Sequence, residues 1–446
     1  MTTTPADRLN LVDVDLDDGD SIDDSPERRL FFAGDCIYRD NLADDPIGDD
    51  LRERIAAADH ALVNLEAPIP GDGDPIAKSG PAKASDPAAP QLLADTGFDV
   101  ACLANNHIMD HGEGGLTATL DACNDAGLQT VGAGESQQAA LDPLELSLEN
   151  TSVAVVNVCE REFGVAERDT PGTAWASHRS TERRIAEANA DTDVVVVVAH
   201  GGVEFTPLPP QQRQAQLRGF VDAGADAVVG HHPHVAQGWE EYDGSPVYYS
   251  LGNFLFDQSN RPNTKWGLCV ELTLRGDTIT GVDLLPTELV DGVVDVMGRD
   301  RDVDDHLDYL HRVSEITADR ERLHAYWQEI AVRLFEQRYS NWLRAGTASG
   351  PLQLLKDPKA ALGDDVWGAE ERRTELLTLL NVVRNESHRD AIETALAVQT
   401  GDVRDRRTPE IRRDVRELFA WTEDQQLYDL PSSRQRTVKA VLGQFR

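Results

Sequence analysis

Residues 194–199 read VVVVVA, five consecutive valines with no polar residue among them. β-Branched side chains favour extended backbone, and a strand apolar on both faces needs cover on both faces. Such a strand belongs at the centre of a sheet flanked by helices. The surrounding sequence supplies matching pieces. Short apolar runs at 30–34, 61–65, 99–104, 153–158, 227–230 and 247–250 are further strand candidates. Between them lie helical patterns such as GEGGLTATLDACNDAG, ending at Gly127, and PPQQRQAQLRGFVDAG, ending at Gly224. Glycine there suits the left-handed turn that closes a helix. Alternating strands and helices predict an α/β domain. GLCVELTLRGDTITGVDLLP then reads as an antiparallel hairpin turning at Gly276–Asp277.

Beyond about residue 300 the pattern changes. RERLHAYWQEIAVRLF places Leu323, Trp327, Ile330 and Leu334 on one helical face, and ELLTLLNVV and SHRDAIETAL continue in that style. Residues 301–446 are expected to be helical, 29–300 to form the α/β domain, and 1–28, Asp-rich with few apolar positions, to be a disordered acidic tail. That start has no apolar core of a signal peptide, and no stretch approaches the ~18 apolar residues of a membrane span. The expected location is therefore cytoplasmic. The formal charge of −37 is spread along the 446 residues, and only six of the 42 basic residues are Lys. Acidity of this kind resembles that of proteins from salt-loving organisms, and it argues against nucleic acid as a partner reached through a basic face. Five scattered cysteines without a CxxC pair give no disulfide or zinc framework.

In an open α/β sheet, ligands bind beyond the carboxyl ends of the strands. LFFAGD ends in Asp35; ALVNLE ends in Asn64 and Glu66; DVACLANNH ends in Asn105, Asn106 and His107; VVVVVAH ends in His200. ADAVV runs into GHHPH, where His231, His232 and His234 stand within four residues. Alone, that cluster reads equally as a metal-ligand loop or as a solvated loop rich in histidine. Five strands delivering carboxylate, carboxamide or imidazole to one edge favour the former. Mixed oxygen and nitrogen donors without thiolate suit Mn, Fe, Zn or Co rather than a structural zinc site. Two such ions sharing a carboxylate form a clamp for in-line displacement at phosphorus.

The order of these residues resembles the calcineurin-like metallophosphoesterase superfamily. NLEAP, GFDVACLANNHIMDHGEGGLTATLDACNDAGLQTVGAG, HGGVEF and GADAVVGHHPHVAQGWEEYDGSPVYYSLGNFLFD are more closely similar to its capsule-synthesis CapA-type branch, associated with poly-γ-glutamate. The resemblance spans about residues 29–285. It implies a four-layer α/β/β/α sandwich followed by the α-helical C-terminal region, and one or two divalent transition ions (Mn, Fe or Zn). Asp35 and His234 would bind the first ion, Asn106, His200 and His232 the second, and Glu66 would bridge them. His107 would donate a proton to the leaving oxygen, and Arg39 would contact a negative substrate group. Two departures stand out: Ile37 occupies the place of a histidine ligand to the first ion, as is general in this branch, and the bridging position holds Glu66, one methylene longer than the usual aspartate.

The leading expectation is a metal-dependent hydrolase of the capsule-synthesis type, acting on an anionic polymer or phosphoester, with capsule-synthesis proteins as partners. Two others stay open: a non-catalytic accessory subunit that binds the polymer or a synthesis partner, and a general cytoplasmic metallophosphoesterase. Asn253, in SLGNF, is either a pocket residue or part of a turn. His60, His111, His178 and the four histidines beyond residue 300 are read as ordinary surface or core residues.

Overall fold

The computed structural model describes residues 26–39, 41–258, 261–298, 303–347 and 372–422. The chain opens with β1 (Arg28–Cys36), α1 (Asp49–Ala57), β2 (His60–Leu65), α2 (Ala89–Thr96), β3 (Val100–Cys102), α3 (Gly112–Ala126) and β4 (Gln129–Val131). It continues through β5 (Ala133–Gly134), α4 (Gln137–Leu141), β6 (Leu144–Leu148), β7 (Thr151–Cys159), β8 (Gly172–Thr173) and α5 (Thr181–Asp191). Next come β9 (Val194–His200), α6 (Gln211–Asp222), β10 (Ala227–His231), β11 (Trp239–Tyr242) and β12 (Ser245–Tyr248). β13 (Trp266–Arg275), β14 (Thr278–Val290) and β15 (Val293–Val296) complete the strands.

Two large sheets result, ordered β15-β14-β13-β1-β2-β3-β4 and β11-β12-β10-β9-β7-β6. The valine strand β9 lies inside the second sheet, parallel to β7 and β10 and buried along its whole length. Its alternation divides the valines between two cores. Val194, Val196 and Val198 face Leu30, Phe32 and Leu62 of the first sheet, whereas Val195 and Val197 pack with Ile185 of α5 and Leu217 of α6. On the far side, Phe31, Ala61 and Ala101 pack against Leu51 of α1, Leu93 of α2 and Leu116 of α3. The layers are thus helix, sheet, sheet, helix, the four-layer sandwich that the sequence led us to expect. The hairpin of β13 and β14 turns at Gly276–Asp277.

Some strand ends differ from the sequence reading. β3 stops at Cys102 because the backbone turns there, with the Asn105 N–H donating to the Leu103 carbonyl. β12 runs over Ser245–Tyr248 rather than 247–250, since the chain then bends across Gly230, whose carbonyl accepts from the Leu251 N–H. A Cβ on Gly230 would lie 2.3 Å from the Tyr249 carbonyl oxygen, so only glycine permits this crossing. Gly34 meets the Gly252 carbonyl oxygen in the same way, at 2.3 Å. Of the tail expected over 1–28, residues 1–25 lie outside the described residues, and β1 begins at Arg28.

The C-terminal part is helical where described: α7 (Val303–Ala318), α8 (Arg320–Leu334), a π-turn at Phe335–Tyr339, α9 (Ser340–Thr347), α10 (Arg373–Arg384), α11 (Glu386–Thr400) and α12 (Pro409–Phe419). Leu323, Trp327, Ile330 and Leu334 are all buried. Tyr309, Leu310 and Val313 of α7 join the same apolar cluster as the two sheets, so the helices extend the inter-sheet core. No helix among the described residues is long and apolar enough to cross a membrane. All five cysteines are buried and free.

Candidate metal centre

Parallel neighbours end at the same edge, so β1, β2 and β3 of one sheet and β9 and β10 of the other discharge their terminal residues into one place. Asp35 is fixed by backbone bonds to the Gly252–Phe254 segment, which brings Asn253 alongside. Glu66 is anchored through its N–H to the Cys36 carbonyl. The acceptor atoms then converge. His200 Nε2 lies 3.1 Å from His232 Nδ1, 3.1 Å from Asn106 Oδ1 and 4.0 Å from Glu66 Oε1. His234 Nδ1 lies 3.2 Å from Asp35 Oδ2 and 3.0 Å from Asn253 Oδ1, while its Nε2 lies 3.6 Å from Glu66 Oε1.

Two ligand groups follow, Glu66–His200–His232 and Asp35–Glu66–His234, each with its ligand atoms within 4.8 Å of one another. Glu66 belongs to both. The fit to a cation can be tested on Glu66 itself. Its side chain is fully buried, and neither carboxylate oxygen has a hydrogen-bond partner among the described residues. A carboxylate left so costs heavily in the absence of a cation. Burial, with Asp35 alongside, pushes it up to about 8. Burial holds His200 well below its ordinary value and lowers His232 to about 3, leaving both imidazoles neutral with lone pairs to offer. Against burial, His231 and His234 hold Asp35 well below the usual carboxylate range. The donor set therefore fits one or two divalent ions.

Three carboxamides hold this array. Asn64 Nδ2 lies 2.7 Å from Asp35 Oδ1 and 3.2 Å from His200 Nδ1, and Asn105 donates to Asn64 Oδ1 at 3.3 Å. Asn253 faces His234, so it is a pocket residue. His231 Nδ1, 3.1 Å from Asp35 Oδ1, orients that carboxylate and belongs to neither ligand group. Ile37 packs in an apolar cluster with Ala67 and Phe256, a dry wall where the superfamily pattern would place a ligand.

His107 sits beside Asn106 in a buried triad. Its Nδ1 lies 2.6 Å from Asp110 Oδ2 and 3.1 Å from Lys78 Nζ, and Lys78 reaches Asp110 Oδ1 at 2.5 Å. Burial and the Lys78 charge outweigh Asp110 and push His107 down to about 4. At neutral pH it is therefore an uncharged imidazole, donating from Nδ1 to Asp110. Arg39 is exposed and donates to the Ala84 carbonyl at 2.9 Å; the cation nearer the pocket is Lys83, set 5.2 Å over the Phe256 ring. Phe256 in turn stands edge-on to His234.

Sequence reasoning missed Lys78, Lys83, Asp110, Glu162 and Glu204. Three of these were within reach: the chain has only six lysines, and Lys78 and Lys83 fall together. Asp110, at i+3 from His107 in NNHIMD, was the third. Backbone strain marks the same place. Among the described non-glycine residues with positive φ, Glu149, Asp243 and Asp291 occupy tight hairpin turns. The others, Phe205 (63°), His232 (100°) and His234 (59°), surround the ligand groups.

A two-sheet sandwich with carboxylate, carboxamide and imidazole donors gathered at its parallel strand ends is a metallophosphoesterase-like fold. Within that class, the chain belongs to the bacterial capsule synthesis protein family PGA_cap, whose pattern matches residues 29–258. It is 33% identical over 208 residues to the capsule biosynthesis protein CapA of Bacillus anthracis, covering 45% of this chain and 50% of that protein. It is 40% identical over 172 residues to the PGA biosynthesis protein CapA of Bacillus subtilis, covering 38% and 45%. A probable polyglutamine synthesis accessory protein of Mycobacterium tuberculosis is 32% identical over 215 residues, covering 45% and 56%. The chain thus spans about half the length of the curated relatives it matches. Among solved structures, a phosphatase from Mycoplasma pneumoniae aligns at 12% identity and a TM-score of 0.38, over 63% of this chain and 99% of that one.

Proposed function

We propose that this protein is a metal-dependent, phosphoesterase-type hydrolase serving the synthesis of an anionic capsule polymer of the poly-γ-glutamate kind. The observation that carries the reading is Glu66, fully buried, with both oxygens unpartnered among the described residues, and common to two ligand groups. Glu66, Asn106, His200 and His232 would hold one divalent ion (Mn, Fe or Zn), and Asp35, Glu66 and His234 the other. Bound there, such ions would supply positive charge to the oxygens of a phosphoester undergoing displacement.

The chain's own residues do the remaining work. Asn64 and His231 fix Asp35, and Glu162, 3.5 Å from Asn106 Nδ2, turns the Asn106 carbonyl oxygen towards His200. His107, uncharged and held by Asp110, offers Nε2 as a proton acceptor; it acts as the donor to a leaving oxygen only after the negative charge of a bound substrate has raised its proton affinity. Lys83 gives the mouth a positive charge, with Arg39 further out.

The wall of Ile37, Ala67 and Phe256 favours a second reading, in which the poorer Asp35–Glu66–His234 group stays weak and the protein is an accessory that binds the polymer without cleaving it. Elemental analysis of protein purified in high salt, followed by a phosphoesterase panel with Mn added, separates the two. Activity lost in Glu66→Gln supports the hydrolase. Bound metal with no turnover across the panel supports the accessory. No bound metal at all removes both versions of the site.

A further inference from the structure

The family match ends at residue 258, so the ligand groups lie inside it and the C-terminal helices outside it. One ligand ties the two parts together. Asn106 can serve an ion only through Oδ1, because an amide nitrogen has no lone pair to offer. Oδ1 stands 3.1 Å from His200 Nε2, whereas Nδ2 points the other way, 3.5 Å from Glu162 Oε2. An ionised carboxylate accepts and cannot donate. Glu162 therefore decides which end of the amide faces the ligand group, drawing the nitrogen outward and leaving the oxygen inside.

Glu162 is itself held from outside the sheet. β7 ends at Cys159, and the chain then leaves the ladder. Among the described residues, the hydrogen bonds of the 161–163 backbone run only to the corner of α10 and α11. Arg384 Nη1 donates to the Glu162 carbonyl at 3.0 Å, and the Arg161 N–H donates to Glu386 at 3.0 Å. The Arg384 guanidinium also stands 5.3 Å over the Phe163 ring, and Ser387 Oγ donates to Glu160 at 2.7 Å. Asn385 alone separates the two helices. Its side chain accepts from the His388 N–H at 2.8 Å and caps α11, while His388 Nδ1 bonds the Tyr339 hydroxyl at 2.9 Å. The corner is thus anchored on both sides, and from it Arg384 and Glu386 place the loop of Glu162.

We propose that Arg384, at the corner of α10 and α11, is a positioning residue of the metal centre: by holding the Glu162 loop it keeps the Asn106 oxygen turned to the ion. Ion binding by the matched segment then depends on the C-terminal helices. The proposal rests on the metal-site reading above. Arg384 touches no ligand, and its effect passes through Glu162 and Asn106. The Asp35–Glu66–His234 group keeps all its donors without it.

The test is a double-mutant cycle of Arg384→Leu and Glu162→Leu in the full chain at pH 8, read as Mn affinity by calorimetry after Mn content is measured in the wild type. Each single change should weaken the Mn held by the Asn106 group about ten-fold, the usual scale for losing a group that orients a ligand. The two together should cost no more than either alone, because both release the same restraint. Arg384→Lys, which keeps a donor, should regain part of the loss. Glu386→Ala, which frees the Arg161 N–H, should show the same loss and serves if Arg384→Leu does not fold. Asn106→Ala identifies the affinity concerned: in that background Arg384→Leu should change Mn binding less than two-fold. Wild-type affinity in Arg384→Leu, losses that add in the double variant, or a loss that persists in Asn106→Ala would overturn the role of Arg384. A wild-type chain without Mn would instead remove the metal reading on which it rests.

Discussion

Ser387 Oγ lies 2.7 Å from Glu160 Oε1 and joins positions 227 residues apart in the chain. The bond fastens the C-terminal helices to the segment beside His200. Burial pushes Glu160 up to about 7, and Arg213 and Ser387 offset part of that cost.

Ser387→Ala removes one of these offsets and leaves a buried carboxylate short of a donor. It should destabilise the protein by about 1–3 kcal/mol in denaturant titration. The expected loss is larger at pH 8 than at pH 6, because the hydroxyl bond supports the charged form. An equal loss at the two pH values would show that the bond does not favour the carboxylate.

The two ligand groups make separable demands on the histidines. His232→Ala takes an imidazole from the group that keeps Glu66, His200 and Asn106. His234→Ala leaves only Asp35 and Glu66 in the other, too few donors to hold a transition ion firmly. Metal stoichiometry, read by elemental analysis, should fall in both variants and stay unchanged in His231→Ala, whose imidazole touches Asp35 but belongs to neither group.

Stability should also depend on pH through Asp390. Burial pushes its carboxyl up to about 6, against hydrogen bonds from the Gln212 N–H and from Trp327 Nε1, which lies 2.6 Å away, and despite the nearby charge of Arg389. The ordinary unfolded value is ~3.9. An acid with a raised folded pKa is favoured in its protonated form, so its support is complete below ~4 and is lost as pH rises to about 6. Asp390→Asn keeps an oxygen for Trp327 and cannot ionise. Relative to wild type it should gain up to about 2 kcal/mol between pH 4 and pH 7, measured as a diverging pair of melting temperatures.

The charge of −37 makes a prediction of its own. Like-charge repulsion opposes compaction until salt screens it, and the Debye length falls from ~10 Å at 0.1 M to ~3 Å at 1 M. The melting temperature should rise steeply from ~0.1 M into multimolar KCl. A flat response would contradict adaptation to concentrated salt.

Much of this arrangement was legible because parallel strands carry their terminal residues to one edge. Once VVVVVA and its neighbours were read as such strands, Asp35, Glu66, Asn106, His200, His232 and His234 had to approach one another. Ile37 likewise announced its apolar environment by its type. The rest depended on packing without a local signature. Nothing in SHRDAIETAL distinguishes His388, which the sequence reading treated as ordinary, from any helical histidine. Its partner Tyr339 lies 49 residues away, across a π-turn that no periodicity reveals. Glu204 gains its place from Phe205 and the two histidine loops, and Lys83 from Phe256; each pairing exists only after the sheets have closed. Arg39, expected to meet a negative substrate group, is exposed and bonds the Ala84 carbonyl, a partner that its motif position does not announce.

His232 and His234 adopt a left-handed backbone in which glycine would rest more easily. Folding and the proposed ligation therefore pull in opposite directions at two loop positions separated by Pro233. A lineage that kept the domain but lost the need for its metal ions would drift there first, and glycine would be the residue to accumulate. Each replacement would relieve roughly 1 kcal/mol of backbone strain and take a donor from a ligand group. Under the proposed metal reading, imidazole stands at both positions against that slope.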